Sequence, residues 1–156
     1  MTSPANIREH PIHPMLVGFP IALWIFSLIC DIFYHAGSQS EFWKSAAFYL
    51  MAAGIVTALL AAIPGFIDYL SITELRTKKI ATTHMILNLV IVALFLFNLG
   101  MRYKGAASAE MFEVVLSVVA IALLAVSGWL GGSLVYVHHV GLAPRRDSRE
   151  IDRPAA

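Results

Sequence analysis

Two imidazoles lie close together in the motif His-Pro-Ile-His-Pro, residues 10–14, directly before the first long apolar run of the chain. Pro11 favours an extended segment before it, and Pro14 suits the first position of a helix. Neutral imidazole is the commonest metal ligand among the side chains. The types and spacing of His10 and His13 therefore predict a ligand-bearing segment that folds over one end of a helical bundle.

Three further side chains, Asp68, His84 and His138, have the chemistry to share a site with this motif. Asp68 falls in the last turn of its predicted helix, where a carboxylate is disfavoured unless a cation, a metal or an imidazolium lies near it. His84 falls in a first turn, where the helix dipole favours the neutral imidazole that ligates metals. We expect one metal-centred site formed by His10, His13, Asp68, His84 and His138.

The elements that must position these residues are membrane-spanning helices. Of the 156 residues, 58% are hydrophobic and 13% are charged, whereas soluble domains carry about 25% charged residues. A bilayer core needs about 20 apolar residues in helix, and four segments meet that length: 14–35, 45–70, 81–102 and 114–136. Short connections make successive helices antiparallel. The sequence predicts an all-α, up-down-up-down four-helix bundle in the membrane.

The bundle divides the chain into three parts. Residues 1–13 form an N-terminal segment with the histidine motif, residues 14–140 form the transmembrane domain, and residues 141–156 form a tail that we expect to be disordered. The first span lacks the charged start and the cleavage site of a signal peptide, so we expect it to be retained. The net charge of +1 gives no indication of a basic surface that would bind nucleic acid. A single cysteine excludes an intrachain disulfide.

The distribution of lysine and arginine predicts the orientation, because basic loops stay in the cytoplasm. The side with both termini and the connection between spans two and three carries eight such residues, and the other side carries three. Both termini should therefore be cytoplasmic, in a bacterial inner (plasma) membrane. This topology places the five candidate ligands at the cytoplasmic face.

Helical periodicity predicts that the polar side chains of spans three and four point into the bundle. At 100° per residue, His84, Asn88 and Asn98 lie within about 80° of one another. A face of about 40° on the fourth span carries Ser127, Gly131 and His138. Polar side chains facing lipid would stay unpaired, so both stripes should face inward. Near the opposite membrane face, Asp31 is expected to be an isolated polar anchor with His35; whether the two form a second site stays open.

Small residues follow one side of the second span and recur in the fourth. They are Gly54, Ala58, Ala61, Ala62 and Gly65, then Gly128 and Gly132. Such stripes let helix backbones approach closely. The alternative is that they clear room for a flat cofactor.

Several segments together resemble a family of small bacterial membrane proteins catalogued as a domain of unknown function, DUF2231. They are HPIHP at 10–14, PIALW at 20–24, IPGFIDYL at 63–70, the pair His84 and Asn88, and SGWLGGSLVYVHHVG at 127–141. The resemblance covers nearly the whole chain and singles out the same five candidate ligands. His139 departs from the family pattern, which has glycine there. Related modules occur fused to Rieske-type iron–sulfur domains, so the resemblance implies membrane redox chemistry.

Three functional hypotheses follow. In the first, His84 and His138 hold heme b in an electron-transfer module, with a redox partner protein or a quinone. In the second, the five candidate ligands bind a non-heme metal, iron, zinc or copper. In the third, the chain is a non-catalytic structural or assembly subunit whose polar residues only hydrogen-bond with one another. Whether the chain is an enzyme, and whether it forms a homo-oligomer, stays open.

Overall fold

The computed structural model describes residues 3–8, 10–38, 40–104 and 110–141. Within these ranges, four helical segments are long and apolar enough to cross a membrane: Ile12–Gly37, Glu41–Ser71, Leu75–Lys104 and Glu110–Tyr136. This architecture confirms the predicted all-α four-helix membrane bundle. The side of the membrane on which the termini lie stays a prediction, and residues 142–156 of the predicted tail are outside the described part of the chain.

The described residues form two short strands and five α-helices. Strand β1, Asn6–Ile7, pairs antiparallel with β2, His10–Pro11. The helices are α1, Ile12–Leu16; α2, Gly18–Phe33, which continues in a π-helical turn over Tyr34–Ser38; α3, Glu41–Ser71; α4, Leu75–Lys104; and α5, Glu110–Tyr136. Helix α1 begins before the predicted span at residue 14, so His13 lies inside a helical turn.

Local chemistry explains where the long helices begin and end. Gly37 has a φ of +116°, a conformation that glycine adopts without steric cost, and it ends the first span. The Ser40 hydroxyl accepts the Phe42 N–H at the start of α3. The Glu74 carboxylate accepts N–H groups from the first turn of α4. Both residues supply acceptors to helix N-termini, which otherwise leave donors unpaired.

An apolar layer fills the middle of the bundle. The rings of Trp24 and Phe95 are stacked with centroids 4.3 Å apart, and the Trp24 indole donates to the Met51 carbonyl oxygen. The other buried members of this cluster are Ile55, Ile91, Ala120 and Leu124. Outward-facing positions carry large apolar side chains such as Trp129, which is 82% exposed. We assign these outer surfaces to contact with lipid, as expected for a multi-pass membrane protein.

The N-terminal segment folds over one end of the bundle. The buried Asp68 carboxylate accepts hydrogen bonds from the Ser3 hydroxyl and, at 3.4 Å, from the Ala5 N–H. The Ala5 carbonyl oxygen in turn accepts the Ile12 N–H at 3.0 Å. These bonds attach the strand pair to the ends of α1 and α3. We call this end of the molecule the histidine end, because His13, His84 and His138 lie there.

Candidate functional site

His13 is oriented by the main chain of α3. Its Nδ1 lies 2.8 Å from the carbonyl oxygen of Ala61. A carbonyl oxygen only accepts hydrogen bonds, so Nδ1 carries the hydrogen and Nε2 carries the free lone pair. The ring lies against Gly65, where an added Cβ would stand 2.6 Å from Nδ1. Because Gly65 has no side chain, it leaves the space that the imidazole occupies.

His84 is held in the same way by α5. Its Nδ1 lies 2.9 Å from the Ser127 carbonyl oxygen, which again assigns the hydrogen to Nδ1. The amide nitrogen of Asn88 lies 3.1 Å from Nε2 and 2.9 Å from the Ser127 hydroxyl oxygen. A Cβ added at Gly131 would stand 2.9 Å from the His84 ring. The predicted inward orientation of His84, Asn88 and Ser127 is what the structure has.

His13 and His84 face each other, and we refer to them as the imidazole pair. Their ring centroids are 6.4 Å apart and their planes are nearly perpendicular, at 84°. Helix α1 supplies one ring and α4 the other, while α3 and α5 each supply a carbonyl acceptor and a glycine. Every span of the bundle thus contributes to the position of this pair.

The other three predicted ligands have different partners. Asp68 binds the N-terminal segment through Ser3 and Ala5. His138 Nδ1 lies 3.2 Å from the Thr77 hydroxyl, and the exposed His10 contacts the Arg8 carbonyl oxygen. Over the described ranges, no three histidine, cysteine, aspartate or glutamate side chains form a group that could hold a metal ion.

The single five-residue ligand set expected from the sequence is therefore not assembled. In place of the expected pairing of His84 with His138, the structure brings His84 together with His13. The physical reason is that α5 ends at Tyr136 and His139 has a φ of +51°. The helical periodicity that aligned His138 with Ser127 does not continue to residue 138.

A second polar cluster lies at the opposite end of the bundle. Asp31 and Arg102 form a bidentate ion pair with both N–O distances at 2.7 Å, and their side chains are only 6% and 7% exposed. The Arg102 Nε donates to the Asn98 side-chain oxygen. Asp31 is therefore not an isolated anchor with His35, as the sequence suggested; His35 contacts the ring of Tyr34.

The predicted topology contained a signal for this ion pair. Asp31 and Arg102 have opposite charges and fall near the ends of spans one and three, which finish at the same membrane face. A bidentate arginine–carboxylate bond is among the strongest charge-assisted hydrogen bonds. A search for oppositely charged residues at the same depth in non-adjacent spans would have indicated this ion pair.

Several glycines on the helices leave room for side chains from neighbouring helices. Besides Gly65 and Gly131, which adjoin the two imidazoles, Gly54 adjoins Trp24, and a Cβ there would stand 2.5 Å from the indole nitrogen. At Gly128 and Gly132 an added Cβ would meet nothing within 4 Å. The stripe on α3 thus makes room for an indole and an imidazole.

Comparison with known proteins agrees with this architecture. A family model described as "Predicted membrane protein (DUF2231)" matches residues 9–144, which includes the imidazole pair and all four spans. No curated protein and no solved structure matches the chain.

Proposed function

The chain belongs to the DUF2231 family of predicted membrane proteins, and on that premise we propose that it is an electron-transfer module in which His13 and His84 hold one heme b. The observation that carries the proposal is the imidazole pair. Two rings from different helices lie 6.4 Å apart, and each has its Nδ1 against a main-chain carbonyl oxygen. A hydrogen bond of this kind orients an imidazole and raises the basicity of its other nitrogen.

The separation of the rings suits two ligands on one metal ion. An imidazole would bind a metal ion at about 2 Å, so two rings with centroids 6.4 Å apart are close enough to share one ion. Heme b is a one-electron carrier whose axial ligands set its potential. In this chain the residues that would hold it are His13 and His84, with Ala61 and Ser127 as their carbonyl partners.

The number of imidazoles favours heme over a non-heme metal. A zinc ion takes four ligands, and non-heme iron takes two histidines with a carboxylate. The described residues offer two histidines without a third ligand in the same group. Heme b would need only two ligands from the protein, and His13 and His84 would supply them.

Binding of a metal ion by His84 would require the loss of one hydrogen bond. Asn88 donates to Nε2 of His84, and this contact has to break before that nitrogen can bind a metal ion. The same amide also lies within hydrogen-bond distance of the Ser127 hydroxyl. It therefore keeps a partner when the contact to His84 is lost, so the rearrangement leaves no buried donor unpaired.

The proposed activity needs a source and an acceptor of electrons. The imidazole pair lies at the histidine end, which we propose to be the cytoplasmic face of a bacterial inner membrane. There a redox protein could dock from water, or a quinone could approach from the bilayer. In this proposal the chain moves electrons without itself transforming a substrate.

The test is the absorption spectrum of detergent-purified protein expressed with a supply of heme. We expect a Soret band that is lost in His13→Ala and in His84→Ala. The matched controls are His10→Ala and His138→Ala, which remove histidines outside the imidazole pair and should retain the band. A heme-free protein, or a band that survives both pair variants, contradicts the proposal. Stoichiometric iron, zinc or copper without heme supports the non-heme alternative instead.

One observation favours the second candidate function, a structural or assembly subunit. Within the described residues, every buried side-chain nitrogen and oxygen has a hydrogen-bond partner, so the polar cluster is satisfied without a ligand. Interhelical polar bonds in membranes stabilise by about 0.6 kcal/mol on average. On this reading His84→Ala lowers the unfolding temperature while the purified wild-type protein carries neither heme nor metal.

A further inference from the structure

A group of basic residues lies at the start of α4, at the histidine end. Arg76, Lys78 and Lys79 all belong to the first two turns of this helix. The carboxylate of the preceding residue, Glu74, accepts main-chain N–H groups of the same segment. Two ion pairs form among the described residues, and neither includes a basic residue of this group. The start of α4 therefore carries positive charge that the described part of the chain leaves unbalanced.

Two of these basic residues line an open groove on the surface of α4. The groove has a volume of about 420 Å³ and is lined by Leu75, Lys78, Lys79, Thr82 and Thr83. We call it the lysine groove. Its residues recur at intervals of three and four, so they lie on one face of the helix. Leu75 is 79% exposed, and Lys79 and Thr83 are also exposed. The groove therefore opens outward from the bundle.

The two lysines of the groove are held differently. The Lys78 ammonium donates to the Tyr69 carbonyl oxygen and lies 3.8 Å from the centroid of the Tyr69 ring. An ammonium has three donors, so Lys78 keeps donors for a ligand. The Lys79 side chain forms no hydrogen bond or ion pair with any described residue. The groove thus offers an anion one fixed cation and one free cation.

Toward the middle of the span, the same helix face becomes polar and then apolar. The hydroxyls of Thr82 and Thr83 donate to carbonyl oxygens four residues earlier. Exposed apolar side chains follow on this face: Ile86, Leu89 and Val90. At 1.5 Å per residue, Ile86 lies about 10 Å along the helix axis from Lys79. Cations, hydroxyls and apolar side chains therefore follow one another in the order of the phosphate, glycerol and acyl chains of a phospholipid.

We propose that the lysine groove is a binding site for an anionic phospholipid. Lys78 and Lys79 bind the phosphate, and the apolar side chains beyond the threonines contact the acyl chains. Basic pockets beside transmembrane helices bind acidic lipid headgroups in this way. A zwitterionic lipid carries a positive group of its own, so charge complementarity favours a lipid with net negative charge. Each lysine should strengthen binding about fivefold. This site is independent of any heme at the imidazole pair.

Native mass spectrometry of the purified full chain tests the proposal by counting bound lipids. Phosphatidylglycerol and phosphatidylcholine with identical acyl chains are titrated into the detergent solution. We expect the wild type to bind one phosphatidylglycerol more tightly than phosphatidylcholine. Lys79→Gln should weaken phosphatidylglycerol binding about fivefold and leave phosphatidylcholine binding unchanged. Equal affinities of the wild type for the two lipids would show that the proposal is wrong.

Two variants of α4 serve as matched controls. Lys104→Gln removes an exposed lysine at the other end of the helix and should leave phosphatidylglycerol binding unchanged. Lys79→Arg keeps the charge in the groove and should retain the affinity. If Lys104→Gln weakens binding as much as Lys79→Gln does, the lipid responds to the overall charge of the protein and the groove is not its site.

Glycerol phosphate distinguishes a lipid from a soluble phosphate compound. It carries the same charged group without acyl chains, so it should not bind at the concentration of phosphatidylglycerol that saturates the site. If glycerol phosphate binds as tightly as phosphatidylglycerol, the apolar face contributes nothing. The groove would then be a site for soluble phosphates, and its assignment to a lipid would be wrong.

Discussion

The imidazole of His13 occupies the space that a side chain at residue 65 would need, since a Cβ there would stand 2.6 Å from Nδ1. We expect Gly65→Ala to displace the ring and to break its hydrogen bond with the Ala61 carbonyl oxygen. Overpacking of this kind destabilises a protein by about 1–3 kcal/mol. Unfolding in detergent should show that loss, and any bound heme should be lost with it.

Gly132→Ala is the matched control for this substitution. An added Cβ at residue 132 would meet nothing within 4 Å, and alanine in a helix interior is favoured over glycine by about 0.5–1 kcal/mol. Its unfolding free energy should therefore equal or exceed that of the wild type. If Gly65→Ala behaves like Gly132→Ala, the His13 ring does not lie against residue 65.

The ion pair of Asp31 and Arg102 gives the second prediction. Both side chains are almost fully buried, so Arg102→Gln leaves an unpaired carboxylate. Removing one partner of a buried ion pair costs about 3–5 kcal/mol. We expect a loss of that size in equilibrium unfolding, with part of it recovered in the double variant Asp31→Asn/Arg102→Gln.

The ion pair of Lys44 and Glu110 provides the comparison. Their side chains are 40% and 26% exposed, and exposed pairs contribute at most about 1 kcal/mol. Lys44→Gln should therefore have a much smaller effect than Arg102→Gln. Additive losses in the Asp31 and Arg102 double variant would show that the two residues are not energetically coupled.

The fold was predictable because membrane-spanning length and apolar composition are local properties of the sequence. The inward orientation of His84 and of Ser127 was predictable for a related reason, since both residues lie inside long regular helices. Helical periodicity gives the face of one helix but neither the depth nor the rotation of its neighbour. This is why the sequence placed Asp31 and Arg102 on one membrane side without pairing them.

The identity of the partner of His84 could not be predicted, because it depends on tertiary contacts of irregular segments. The position of His13 follows from α1, whose start is attached to the N-terminal segment through Ala5 and Ile12. The position of His138 follows from a turn after α5 and from its contact with Thr77. Neither placement is encoded in a repeating pattern of residues.

The third prediction concerns Asp68, which the sequence suggested as a ligand and which instead binds the N-terminal segment. Asp68→Ala removes the acceptor of the Ser3 hydroxyl and of the Ala5 N–H. A buried donor left without its acceptor costs about 1–3 kcal/mol. We expect faster deuterium exchange at Ile12, whose N–H donates to Ala5, with unchanged exchange at Ile91 in the apolar layer. Equal protection of Ile12 in both proteins would contradict this attachment.

The last prediction is a pH dependence at the start of α4. Hydrogen bonds from the side chain and main chain of Thr77, and from the main chain of Arg76, hold the pKa of Glu74 below its usual value. Because the folded-state pKa is lowered, the stabilising effect is complete above the ordinary glutamate pKa of about 4.3 and is lost as the pH falls through the lower value. Deuterium exchange of the Arg76 and Thr77 amides, corrected for intrinsic rates, should therefore accelerate only in acid. In Glu74→Gln the acid-dependent acceleration should vanish, and the Phe42 amide, whose Ser40 acceptor does not titrate, should show none in either protein. Parallel acid profiles for wild type and Glu74→Gln would refute the assignment of this cap.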